Sequence, residues 1–255
     1  MMRSFYSAKH DGRLRYHDLP GDGIPLIFFH GLGCASSCDY PAVAADERLR
    51  GRRILLVDFL GSGFSDRPES FAYTVDAQAD LMAVFIRHLG VEKIDLFGHS
   101  MGGTIAIETA YRLGAIVDHL MLGEPNLEGG GGTFSRQVAG MAEADYVAHG
   151  HDNLVQAAAA DGNDIWARSM AVSAPYAVHR GAASLVAGSD PLWRDRLFGL
   201  TSRRTMIFGE RSLPDPDMQR MKDAGVGVQV VADAGHSMAW ENPAGLAAAI
   251  KAALG

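Results

Sequence analysis

The sequence predicts an α/β protein: an eight-stranded, mostly parallel sheet with helices on both faces and a helical segment inserted late in the chain. Two observations carry that reading. Short β-rich runs bounded by turn residues recur at 3–8, 13–18, 25–29, 53–58, 93–97, 117–122, 203–208 and 227–232. From the third run onward helix-compatible segments separate them, and alternating strand and helix gives a parallel sheet covered on two sides. Several runs are continuously apolar, as strands buried on both faces are. Thr74 is placed to cap a helix whose Met82, Phe85, Ile86 and Leu89 recur at i, i+3, i+4 and i+7, with Gly90 as its stop. Residues 104–113 form a further helix, and Asn242 with Pro243 opens a last one bearing Leu246, Ile250 and Leu254. Between Glu124 and Arg203 no strand is predicted. A gap of about 78 residues is too long for a structureless loop in a compact domain. We therefore expect a helical cap at 125–202, entered through Gly129 to Gly132 and helical over 135–149, 153–160 and 164–172. The sheet domain then comprises 1–124 and 203–255.

Composition narrows the function classes. The 255 residues allow one to two domains. Lys and Arg number 23 against 30 Asp and Glu, a net charge of −7, so nothing in the charge favours nucleic acid. With 47% hydrophobic and 21% charged residues, the chain lies far from the disordered corner of composition. No apolar run approaches the ~20 residues of a membrane span. The first twenty residues hold no apolar core of a secretory signal, so cytoplasmic residence is the expectation. The two cysteines, Cys34 and Cys38, cannot build a disulfide scaffold and are expected as reduced thiols. Glycine is enriched, at 30 residues, which asks where the chain needs tight turns.

Three short segments carry chemistry. Gly98-His99-Ser100-Met101-Gly102-Gly103 follows the fifth strand and precedes a helix. In that setting G-x-S-x-G forms a strained turn that projects the Ser100 hydroxyl above the sheet, with backbone N–H groups behind it. Phe29-His30-Gly31-Leu32-Gly33 ends the third strand, and an acyl-transfer site needs donors for the oxyanion of its tetrahedral intermediate; the Leu32 and Met101 N–H groups are the expected pair. His236, in Ala234-Gly235-His236-Ser237-Met238, follows the last strand at the sheet end where open α/β sheets place their ligands. A serine nucleophile needs a base poised near neutrality, and imidazole supplies it. His99 is read as structural, because neighbours in such a turn point elsewhere. His149 and His151 have metal-like spacing but no third ligand, so they are expected on a solvated face and no metal is expected.

These segments, with Val57 to Asp66 (VDFLGSGFSD) and the stretch ADAGHSMAWENP, resemble in content and order the α/β-hydrolase superfamily over nearly the whole chain. The resemblance implies a lid-bearing, cofactor-free serine hydrolase, with a carboxylate that orients the histidine. Most relatives place that acid as Asp in a G-E-x-D stretch after the seventh strand. Here the stretch reads Gly209-Glu210-Arg211-Ser212, and a hydroxyl cannot supply the charge. The resemblance to members with the acid after the sixth strand points to Glu124, with Asp215 and Asp217 as alternatives. Serine in the elbow argues against dehalogenases and epoxide hydrolases, whose nucleophile is Asp.

The function expected is cleavage of a carboxylic ester or lactone through an acyl-enzyme. Carbon–carbon bond hydrolysis, cofactor-free perhydrolysis and a non-catalytic receptor are the alternatives. Met141, Tyr146, Trp166, Met170 and Tyr176 of the cap, with Met238 beside His236, are expected to line an apolar pocket. The partner expected is a small-molecule ester or lactone, and a homodimer stays open.

Overall fold

The computed structural model describes all 255 residues. Eight strands form one sheet: β1 (Met2–Ser7), β2 (Gly12–Leu19), β3 (Asp22–Phe29), β4 (Arg52–Asp58), β5 (Ile94–His99), β6 (Val117–Gly123), β7 (Arg203–Gly209) and β8 (Gly227–Val231), in the order β1-β2-β4-β3-β5-β6-β7-β8. β1 and β2 are antiparallel, β2 meets β4 antiparallel, and every pair from β4 onward is parallel. Each strand coincides with a run expected from the sequence, to within a few residues at its ends.

Continuous apolarity in the central strands follows from burial on both faces. In β3, Ile27 and Phe29 join the larger core while Leu26 and Phe28 join the smaller one; in β4, Leu55 and Val57 separate from Ile54 and Leu56 in the same way. The larger core packs under α1 (Val75–His88) and α2 (Met101–Leu113), through residues such as Leu81, Phe85, Ile105 and Ile107. Thr74 caps α1 by accepting from the Ala77 N–H at 3.1 Å, as its position foretold.

Residues 124–202 contain helices and no strand. α3 (Thr133–Ala139), α4 (His151–Ala160), α5 (Asp164–Ala171), α6 (Pro175–Ala187) and α7 (Trp193–Gly199) are the principal ones. The single helix expected over 135–149 is broken: α3 ends at Gly140, and a short irregular helical stretch follows. α6 and α7 were not expected, although Pro175 at the first turn of α6 is a start signal. The second sheet face is covered by α8 (Pro243–Leu254), where Asn242 accepts from the Gly245 N–H at 2.8 Å and Leu246 and Ile250 are buried.

Candidate active site

The C-terminal ends of β3, β5 and β6 and the loop after β8 converge on a cavity of about 380 Å³, whose wall includes Gly31, Leu32, Ser100, Glu124 and His236. Ser100 sits between β5 and α2 with φ 52° and ψ −124°, a conformation L side chains rarely adopt. Two glycines make that turn possible. A Cβ on Gly98 would overlap the Gly102 carbonyl, and one on Gly102 would overlap the His30 carbonyl oxygen. The Ser100 N–H donates to the Gly123 carbonyl at 2.8 Å, which ties the turn to β6. The Leu32 and Met101 N–H groups donate to no other backbone group, and Leu32 lies on the cavity wall.

Glu124, also at positive φ (45°), follows β6 directly and reaches across the end of β7. His236 Nδ1–H donates to its Oε2 at 2.7 Å, and the Gly209 N–H donates to its Oε1 at 2.9 Å. The carboxylate is largely buried and the imidazole about half exposed, at 12% and 53% of their side-chain surfaces. Burial alone would raise the Glu124 pKa. The hydrogen bonds from His236 and Gly209, the charge of His236 and the Ser212 hydroxyl outweigh it and hold the carboxyl below its ordinary range. Ser212, at the position where the resemblance led us to expect Asp, thus favours the ionised form of Glu124. With Nδ1 committed to Glu124, the basic nitrogen of His236 is Nε2. Its hydrogen bond with Ser100 is not formed in this arrangement; such contacts are commonly long before substrate binds.

The two histidines beside the catalytic candidates are held neutral. His99 Nε2–H donates to the His236 carbonyl at 2.7 Å, with the two rings 4.6 Å apart. Burial, with the adjacent His236, depresses its pKa to about 3, so His99 braces the His236 loop as a neutral ring. His30 is fully buried; its Nδ1–H donates to the Gly31 carbonyl at 2.9 Å and its Nε2 accepts from the Phe59 N–H at 3.0 Å.

The alternative acids turn elsewhere. Asp217 pairs with Arg194 at 3.4 Å and Arg220 at 3.1 Å, and Asp215 accepts from the Asp217 N–H at 2.8 Å.

The pocket expectations need correction. Of the six residues named from sequence, only Trp166 lines the cavity. Tyr146 and Met170 are buried among the helices of residues 124–202, where the Tyr146 hydroxyl lies 3.1 Å from His151 Nδ1. Met141 packs against Gly150, and the Tyr176 hydroxyl donates to the Arg67 carbonyl at 2.6 Å. Met238 belongs to the core beneath α8. All five satisfy helix or core packing first, and apolar character alone does not say which way a residue faces. His151 is not solvated either: it is buried, with Nε2 3.0 Å from the Met170 carbonyl. No cluster of three or more metal-ligating side chains is present. The cavity wall instead includes Asn126, Phe134, Asn163, Leu185 and Trp240, which sequence reasoning missed. Two carried a signal. Asn126 lies two residues after Glu124, and Trp240 lies one helical turn beyond His236.

Sheet order and a serine at the strand-to-helix turn define a class of hydrolase built on an open α/β sheet. Residues 24–243 match the family described as alpha/beta hydrolase fold, and the chain belongs to that family. Over 105 residues it is 36% identical to the mesoderm-specific transcript homolog protein of Homo sapiens, a match covering 39% of this chain and 31% of that protein. Over 118 residues it is 35% identical to a 2-hydroxymuconate semialdehyde hydrolase of Pseudomonas sp., covering 43% of this chain and 39% of the relative. The chain thus spans about a third of the length of these curated relatives, 31% and 39%. Similar solved structures include an esterase from Thermogutta terrifontis (TM-score 0.79, 22% identity, 100% of this chain and 98% of that one) and the N-acyl homoserine lactonase AidH (TM-score 0.77, 19% identity, 100% and 96%). At these identities the likeness is one of fold. No helix is long and apolar enough to cross a membrane.

Proposed function

We propose that this hydrolase cleaves a carboxylic ester or lactone through a serine acyl-enzyme. The observation that carries the reading is the 2.7 Å contact between His236 and a largely buried Glu124, on the same cavity as a serine in a strained elbow. Ser100 Oγ attacks the acyl carbon while His236 Nε2 takes its proton. The Leu32 and Met101 N–H groups receive the negative oxygen, and the imidazolium stays paired with Glu124. Collapse breaks the acyl–oxygen bond, His236 returns the proton to the leaving alcohol, and water repeats the sequence to release the acid. No metal or organic cofactor enters these steps. Residues 125–202 serve as a cap over the cavity, and its aromatic wall, Phe134, Trp166 and Trp240, favours a small substrate with an apolar part.

The test is turnover of p-nitrophenyl esters and of simple γ-lactones by the wild type and by Ser100→Ala. Loss of several orders of magnitude in Ser100→Ala supports the proposal. Equal rates in the two proteins would overturn it. Likeness to the semialdehyde hydrolase over part of the chain keeps carbon–carbon bond hydrolysis as a second reading. Turnover of a ring-cleavage dienoic acid in preference to the esters would favour it.

A further inference from the structure

The cap is joined to the loop that carries one oxyanion donor by a side chain the mechanism above does not use. Trp166 of α5 donates its Nε1–H to the Leu32 carbonyl at 3.1 Å, across 134 residues of sequence. Its ring lies against Phe134, with centroids 4.5 Å apart, on the cavity wall. Met170, one turn further along α5, seats on the adjoining residue. Gly33 has φ +67°, and a Cβ there would overlap the Met170 thioether. Trp166 and Met170 are four apart and so share one helix face, and that face grips Leu32-Gly33.

What the grip holds follows from peptide geometry. The Leu32 N–H and the Gly31 carbonyl belong to one planar unit. That carbonyl accepts from His30 Nδ1–H at 2.9 Å and from the Cys34 N–H at 3.3 Å, which fixes the unit from the core side. The next unit begins with the Leu32 carbonyl, and its partner is Trp166 in the cap. Leu32 is therefore clamped on both sides, once by the sheet domain and once by α5. An oxyanion donor must lie within about 2.7–3.1 Å of an oxygen that exists only in the transition state, so small peptide rotations cost rate.

We propose that Trp166 is a positioning residue for the oxyanion hole, orienting the Leu32 N–H through the Leu32 carbonyl and so tying acyl transfer to the seating of α5 on Leu32-Gly33. The proposal rests on the serine-hydrolase reading above. The probe is a fluorophosphonate: Ser100 Oγ bonds to phosphorus, fluoride leaves, His236 takes the serine proton, and the phosphoryl oxygen occupies the oxyanion hole. For Trp166→Phe the maximal inactivation rate constant falls about ten-fold, less than the 10²–10³ typical of deleting a donor outright, while the half-saturating probe concentration stays within about two-fold. Should Trp166→Phe not fold, 3-benzothienylalanine at position 166 replaces the N–H by sulfur at nearly constant shape, and the same split is expected. A change confined to the half-saturating concentration, or no change in either constant, would overturn the proposal and leave Trp166 as pocket wall. Labelling of Ser100→Ala at the wild-type rate, or no labelling of the wild type, would overturn the underlying serine-hydrolase reading instead.

Discussion

Replacing Glu124 by Gln keeps the side-chain length and an oxygen for the Gly209 N–H that Glu124 accepts at 2.9 Å, but it removes the charge and sets an amide N–H donor where the carboxylate accepts from His236 Nδ1–H. In the ground state the neutral imidazole turns to the tautomer that accepts at Nδ1, which leaves the proton on Nε2. In the wild-type transition state His236 becomes an imidazolium whose Nδ1–H lies on a carboxylate oxygen 2.7 Å away. With substrate covering the ring, charges some 4 Å apart at an effective dielectric of about 20 attract by about 4 kcal/mol. Losing that attraction from the transition state alone lowers kcat by about three orders of magnitude, with KM nearly unchanged. The assay is steady-state hydrolysis of a p-nitrophenyl ester, with Asp215→Asn and Asp217→Asn measured alongside and expected within about three-fold of wild type. If Glu124→Gln stays within about three-fold while Asp217→Asn abolishes turnover, the acid is misassigned and the geometric argument fails.

Two further outcomes concern stability. Asp39 is buried, and burial raises its pKa from 3.8 to about 8, only partly offset by the neighbouring Cys34 and Trp240. The folded state therefore holds a proton that the unfolded chain gives up: this contribution is complete below about pH 4 and is lost as pH rises toward 8. Asp39→Asn, which mimics the protonated form, should flatten the decline in Tm between pH 5 and 8 and exceed wild type at pH 8; parallel Tm profiles would contradict this. Glu108 is fully buried and ion-paired with Arg112 at 2.5 Å and with Arg196. Glu108→Ala leaves two cations under-paired, although Arg112 retains Asp80 and Asp76, and should cost about 3 kcal/mol in urea unfolding, against less than about 1 for an exposed pair such as Arg203–Asp118.

Much of the fold was legible because its central strands are buried on both sides, which makes Leu26 to Phe29 and the similar runs continuously apolar. The pairing of Glu124 with His236 was readable from two residues taken together: a hydroxyl at Ser212 where the resemblance asks for a charge, and a carboxylate at the end of the neighbouring strand. The cap was harder. Tyr146, Met170 and Trp166 are all apolar residues of helical segments, yet only Trp166 faces the cavity, because orientation is set by how α5 seats on Leu32-Gly33. That contact spans 134 residues and leaves no local periodicity to read. Helix α3 stopped short of expectation because Gly140 ends it, and α6 escaped notice although Pro175 marks its start.

The central claim is that Ser100 is the nucleophile and that His236 activates it. Fluorophosphonate labelling followed by peptide mapping tests it most directly. A single adduct on Ser100, absent in Ser100→Ala and slowed by several orders of magnitude in His236→Ala, is the result expected. An adduct on any other residue, or labelling indifferent to His236, would contradict it.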